Sequence, residues 1–229
     1  MRYLYDLHIH SALSPCADND MTPVNIVAYA AAMGLEIIAV SDHNAIGNVA
    51  AAMEVGEALG VVVVPGTEIQ TNEDIHVLCL FPDLESLENF FAELPFSLLK
   101  NRPDVFGEQL IINSDDEIVG REERLLLTAA EIGEPELRKL CLRHGGVAVP
   151  AHVDRAAFGM VAVLGAVPEE YTAVEFSGKG SPSGFPGKRT LCSSDAHTLG
   201  DIGSARNFVE LKELSAKALI GYLRKEDDR

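Results

Sequence analysis

Residues 6–16 read DLHIHSALSPC and place two imidazoles, His8 and His10, two residues apart in a short apolar run. Taken as a strand, this run alternates its side chains between two faces, so Asp6, His8 and His10 share one face and two ring nitrogens can grip one ion. Six of the seven histidines lie in comparable settings, beside apolar runs: His8 and His10, His43 in AVSDHN, His76 in EDIHVLCLF, His152 in VAVPAH and His197 in LCSSDAH. Taken singly, a histidine is more often a satisfied polar residue than a ligand. Histidines at five separate strand ends point instead to convergence, because ligands of α/β sheets and barrels collect at the carboxyl ends of the strands. His144 stands apart in RHGG, the last turn of a helix before two glycines, where an imidazole complements the helix dipole.

Three carboxylates, Asp42, Glu68 and Asp195, fall at the same strand ends. A carboxylate can bridge two cations, so Glu68 is the candidate bridge, with His8, His10 and Asp195 on one metal and His76 and His152 on the other. Asp6 and Asp42 are placed to orient imidazoles rather than to ligate. Such a nitrogen and oxygen donor set suits Zn, Mn or Fe better than Mg or Ca. Adjacent cations neutralise phosphate oxygens and lower the pKa of a shared water, which gives a hydroxide nucleophile without any side-chain nucleophile. Arg155, three residues past His152, can pair a phosphate through its planar fork or form a surface pair with Asp154. Glu68, Asp195 and Arg155 are therefore the candidate catalytic residues. The stretch SGKGSPSGFPGKRT (177–190) has Pro182 where a phosphate-cradling loop needs glycine; it is expected to be a mobile loop at the site mouth, with Lys179 as a candidate substrate contact.

To bring these residues together the chain needs alternating strands and helices. Apolar runs at 3–9, 36–41, 61–65, 147–151, 172–176 and 190–194 read as strands, and segments at about 23–33, 45–58, 134–144 and 215–224 as helices. Near-continuous apolar strands with helices between them describe a parallel sheet covered on both faces. Too few residues separate the strand ending near Glu68 from the one beginning near Ile75 for a parallel crossover, so these two must form a hairpin, with Glu68 and His76 on one face. A second hairpin is expected at 109–120 with its turn at Asn113–Asp116. With a helix near 84–94 it makes an insertion of about 82–133 in one domain of residues 1–229.

The 229 residues are 47% hydrophobic, ample for a core, and no apolar run approaches the roughly 20 residues of a membrane span. Four scattered cysteines without a CxxC spacing fit thiols in a reducing cytoplasm. The formal charge of −17 repels polyanions, so stable duplex nucleic-acid binding is not expected, nor a membrane partner.

In order along the chain, DLHIHS at 6–11, SDHN at 41–44, the GTE…H pair at 66–76, PAH at 150–152 and SSDAH at 193–197 resemble the signature of the polymerase-and-histidinol-phosphatase (PHP) superfamily. The resemblance covers nearly the whole chain. It implies a distorted (β/α)7 TIM-like barrel, two or three divalent metal ions and hydrolysis of a phosphoester. By that resemblance His8, His10, Glu68 and Asp195 hold one metal, Glu68, His76 and His152 the second, and His43 and His197 ligate a third. Cys16 is the departure: three-metal members commonly have His at this place, six residues after His10, and a thiolate there can ligate Zn or Fe. The activity this resemblance implies is hydrolysis of a phosphomonoester or a nucleotide end, with a small phosphorylated metabolite or a nucleotide as the expected partner. The alternatives are an exonuclease using the same site, a non-catalytic metal-binding module and an amidohydrolase acting on C–N bonds; for the last, no lysine is placed as a carbamylated bridge.

Overall fold

The computed structural model describes residues 1–177, 184–205 and 207–226. Strands β1 (Arg2–Ile9), β2 (Ile37–Val40) and β3 (Val62–Gln70) run parallel, joined by helices α1 (Pro23–Ala32) and α2 (Val49–Leu59). Every residue of β2 is buried, as a strand covered on both faces must be. Thr22 caps α1 by accepting from the backbone N–H of Asn25, and Pro23 opens it, where its missing N–H costs nothing.

β3 turns back through residues 71–75 into β4 (His76–Leu80), the expected hairpin. The antiparallel register pairs Gln70 with His76 and Glu68 with Leu78, so Glu68 and His76 do lie on one face. Next come α3 (Leu84–Ala92), α4 (Pro103–Phe106) and the second hairpin of β5 (Leu110–Ile112) and β6 (Ile118–Arg121). Helix α5 (Glu134–Arg143) leads to β7 (Val147–Pro150), which pairs antiparallel with β4 and so runs in the direction of β3. After α6 (Met160–Leu164), β8 (Ala173–Ser177) and β9 (Arg189–Ser193) form a parallel pair. β10 (Asn207–Glu210) lies antiparallel to β1, and α7 (Ala216–Leu223) follows it.

The main sheet has the order β10-β1-β2-β3-β4-β7 and curls into a half-barrel. β8 and β9 span its opening: the Val153 N–H donates to the Glu175 carbonyl on one side, and Ile9 bridges Ala196 in parallel on the other. Between β1 and β7 the sheet has one reversed strand, β4; the edge strand β10 is reversed as well. The first residue of β4 therefore lies at the same end as the last residues of β1, β2, β3, β7 and β9, and the topology alone gathers His10, Asp42, Glu68, His76, His152 and Asp195.

Of the described elements, β10, α6 and the short α4 were not among the expected ones. β10 is four residues long with only Val209 buried, too little apolar pattern to announce a strand.

Candidate metal centre

Glu68 is the hub of the gathered strand ends. Its carboxylate is buried and faces five ring nitrogens: Oε1 lies 3.3 Å from His8 Nε2, 3.1 Å from His76 Nδ1 and 3.3 Å from His152 Nε2, and Oε2 lies 2.9 Å from His43 Nδ1 and 3.5 Å from His10 Nε2. Asp195 Oδ1 adds a second carboxylate 3.3 Å from His8 Nε2 and 3.0 Å from His10 Nε2. Two residues of the cluster bend sharply to reach these places, with positive φ of 30° at His152 and 53° at Asp195, and Asn44, next to His43, has φ 48°. Non-glycine residues seldom adopt such angles, and they concentrate where function outweighs backbone comfort.

The donor chemistry fits cations. Ser14 Oγ donates to Asp42 Oδ1 at 2.7 Å, so at 3.1 Å it can only accept from His10 Nδ1–H, which leaves His10 Nε2 a bare lone pair. His8 Nδ1 is likewise committed at 2.9 Å to Glu175 Oε2. The two Nε2 atoms then face each other at 3.2 Å between two carboxylates, an arrangement that calls for positive charge in their midst. Proton affinities report the same field. Burial would raise the Glu68 carboxyl, but facing His76, His8 and His43 outweigh it and hold it well below the usual carboxylate range. Burial would lower the His43 imidazole, yet Glu68 and the Cys16 thiol push it up to about 10. His8 is raised well above the ordinary imidazole value because Glu175, Glu68 and Asp195 outweigh its burial.

Among the described residues, three groups of side chains offer donor atoms within 4.8 Å of one another and could each hold an ion: His8, His10 and Glu68; His43, Glu68 and His76; His10, His43 and His197. This grouping departs from the expected partition: Asp195 and His152 stand outside the first two groups, and His10 joins the third. His43 was assigned only to a third ion, but it lies against Glu68 beside His76, so it is shared between two groups. Cys16 lies at the mouth, lining the cleft with His43 and His197; partial desolvation of the thiol acts against ionisation, but these two imidazoles pull it down to about 7.

The other expected residues divide. Asp42 takes the Ser11 N–H and the Ser11 and Ser14 hydroxyls, and so acts on His10 through Ser14. Asp6 orients no imidazole: it accepts from the backbone N–H groups of Ser194 at 3.0 Å and Gly203 at 2.8 Å, and so holds the segment that carries Asp195. Arg155 does not pair with Asp154. It reaches across the centre to Asp195 Oδ2 at 2.5 Å, because Asp154 is occupied by the N–H and hydroxyl of Ser177. His144 lies outside the centre, with Nε2 2.8 Å from Glu93. Lys179 lies outside the described residues.

Glu175 was missed. It is buried on β8, and its Oε2 accepts both His8 Nδ1–H and, at 3.2 Å, the backbone N–H of His152, so one carboxylate fixes the tautomer of one imidazole and the position of another. The available signal was a lone glutamate in the buried strand AVEFS, where a charge needs a partner.

A cleft of about 510 Å3 opens over the centre, lined by Cys16, His43, Gln70, Leu127, Arg155 and Phe158 among others. Comparison with known families settles the kinship. The PHP domain model matches residues 6–166, and the PHP-associated model matches residues 187–227. This chain belongs to the PHP family. Two curated relatives align with about a third of it: a 5'-3' exoribonuclease of Haemophilus influenzae, 34% identical over 79 residues, and a phosphoribosyl 1,2-cyclic phosphate 1,2-diphosphodiesterase of Eggerthella lenta, 36% identical over 80. Each alignment covers 33% of this chain, and 28% and 29% of the respective relatives, so the match spans less than a third of their length. The PHP fold extends further than that. The lesion-specific endonuclease Q of Pyrococcus furiosus superposes with a TM-score of 0.67 at 17% identity, over 98% of this chain and 56% of its own. Endonuclease Q in complex with a 27-mer duplex substrate superposes with a TM-score of 0.69 at 17% identity, over 98% and 57%.

These neighbours overturn the exclusion of duplex nucleic acid that the charge of −17 suggested. Net charge sums the whole surface, whereas a strand meets one cleft, and the charge of ions held in a site can invert the local field. Among the described residues no helix is long and apolar enough to cross a membrane.

Proposed function

We propose that this chain is a metal-dependent phosphoesterase of the nuclease kind, which hydrolyses a phosphoester at a nucleotide of a nucleic acid, at a strand end or within the strand. The carrying observation is Glu68: both oxygens of a buried carboxylate lack a conventional hydrogen-bond donor, yet five imidazoles crowd it within 3.5 Å. In this reading His8, His10, Glu68 and Asp195 hold one divalent ion, Glu68, His76 and His152 a second, and His43, His197 and Cys16 a third, with Zn, Mn or Fe as the candidates. Bound ions of this kind supply an activated water near neutral pH and screen the charge of the phosphate. The rest falls to the chain. Glu175 and Ser14 keep the Nε2 atoms of His8 and His10 aimed inward, Asp195 anchors Arg155 at the cleft, and the Arg155 guanidinium offers a phosphate a planar pair of donors.

We also propose that residues 1–229 act as one domain with 82–133 inserted, since β8 and β9 are needed to span the opening between β7 and β1. The four free cysteines, among them buried Cys79 and Cys141, support a reducing cytoplasmic setting.

The test is direct. Purified protein stripped of metal and reloaded separately with Mn, Zn and Fe is assayed on 5'-phosphorylated RNA, on single-stranded and duplex DNA with and without an abasic site, and on a cyclic phosphodiester. Release of product from at least one strand substrate, abolished by chelation, is the expected result; inertness toward all of them with every metal overturns the reading.

A further inference from the structure

β7 runs into the turn HVDRAAFG, which carries three unlike side chains to one cleft at three-residue intervals: His152, Arg155 and Phe158. The turn is tightly built. The Arg155 N–H donates to the His152 carbonyl at 2.9 Å, and Gly159 lies so close to the Arg155 carbonyl that a Cβ there would stand 2.3 Å from its oxygen. Just before that glycine, Phe158 has φ 59°, a left-handed conformation uncommon for a bulky residue. It is held there by its carbonyl, which accepts the His76 N–H at 3.0 Å.

The ring of Phe158 then stacks on the His76 imidazole, centroids 4.4 Å apart and planes 15° from parallel. One face is thus used. Even so the residue remains 41% exposed and borders the cleft, across which Leu127 adds a second apolar side chain. An aromatic residue serving only the core would be covered, and one irrelevant to the cleft would not need a strained backbone pinned to a candidate ligand.

We propose that Phe158 is a stacking platform for a nucleobase adjoining the phosphate at the metal centre, an inference that rests on the nuclease reading above and names a subsite within it. The chemistry in the cleft selects this ligand class. A planar donor fork beside an imidazole and carboxylate cluster suits a phosphate, and a flat apolar face beside both suits a ring attached to that phosphate. Stacking tolerates any base, because each has a π-face, so the subsite distinguishes a nucleotide that has a base from one that lacks it and ranks the four bases weakly.

The experiment uses Mn-loaded wild type, Phe158→Ala and Phe158→Tyr on two short 5'-phosphorylated strands. One carries 2-aminopurine beside the cleaved phosphate and the other an abasic residue at that position. Phe158→Ala is expected to raise KM for the base-bearing strand by about 5- to 100-fold while shifting the abasic strand by no more than about twofold, with Phe158→Tyr close to wild type. Equal losses on both strands overturn the subsite and make Phe158 a mere support for His76; unchanged KM on both overturns it as well. Fluorescence of the 2-aminopurine strand separates this from the nuclease reading. If wild type hydrolyses neither strand, the nuclease reading falls, while quenching on binding that is lost in Phe158→Ala still upholds the platform, and absence of quenching in wild type removes it.

Discussion

The imidazole centre and the segment of residues 82–133, which we propose to be an insertion, are neighbours, yet the chain builds them by opposite means. At the centre the buried groups are polar: His8, His10, Asp42 and Glu68 are fully covered, and their mutual contacts leave an excess of lone pairs. In the insertion apolar groups face outward, with Leu98 at 91% exposure and Val105, Ile118 and Val119 all more than half exposed, while amide side chains hold the backbone together. Gln109 alone donates to the carbonyls of Glu122 and Arg124 and accepts from the Leu126 N–H. Asn48 fastens the unit to the barrel through the Leu110 carbonyl and the Ile112 N–H, which explains why it provides no side-chain cap to α2. The centre is thus an unfinished electrostatic arrangement that ions complete, and the insertion is a finished hydrogen-bonded one. A substitution in the first should change metal content and activity together; one in the second should change stability alone.

The sharpest way to break this contrast is at Glu68. Glu68→Gln keeps the shape and removes the charge that two groups of imidazoles share, so activity should fall by more than about 100-fold and bound metal should drop by elemental analysis. Arg155→Ala removes a phosphate contact but no ligand, and should cost less in kcat and leave metal content intact. Equal losses in kcat and metal for the two variants would show that Glu68 is not the shared bridge.

Glu175 comes next. Glu175→Gln preserves a hydrogen bond to His8 but replaces a carboxylate by a neutral carbonyl, which weakens the basicity of the imidazole; metal affinity should fall by about 10- to 100-fold with the fold unchanged. Competition with a chromophoric chelator measures it. An affinity within twofold of wild type would mean that the carboxylate serves packing alone.

Gln109→Ala addresses the other region. It strips partners from two carbonyls and an N–H in a largely buried setting, so it should cost about 1–3 kcal/mol in denaturant unfolding, with metal content unchanged. Loss of metal in this variant would erase the distinction drawn between the two regions.

The same contrast explains what the sequence made legible. The strands were readable because β1, β2, β3 and β7 are short apolar runs, and the β3–β4 reversal followed from a connection too short for any crossover. The imidazoles could be read as converging because each stood beside a strand end. Finer relations were not legible, since they depend on which side chain reaches which partner across the barrel. Asp154 is nearer to Arg155 in sequence but is occupied by Ser177, and Glu175 sits 167 residues from His8. Net charge misled for the same reason: it has no spatial resolution.

Cys16 carries the smallest expected effect and tests the edge of the centre. It lies in the loop after β1, exposed, with its thiol against His43 and His197, the two imidazoles that with His10 form the third candidate group. In the metal-free protein the thiol is pulled down to about 7, below the usual cysteine value, so the thiolate fraction and the rate of iodoacetamide alkylation should rise through pH 7 and level off above pH 8. If the thiolate ligates an ion, loading with Zn should suppress that reaction at every pH in this range, because the lone pair that attacks the reagent is committed to the metal. Cys16→Ala should then lose about one ion per chain relative to wild type prepared in parallel, and Cys16→His should retain it, while the ions at Glu68 persist in both variants. An unchanged ion count in Cys16→Ala, together with alkylation indifferent to Zn, would leave Cys16 a bystander of the imidazole cluster and reduce the centre to two ions.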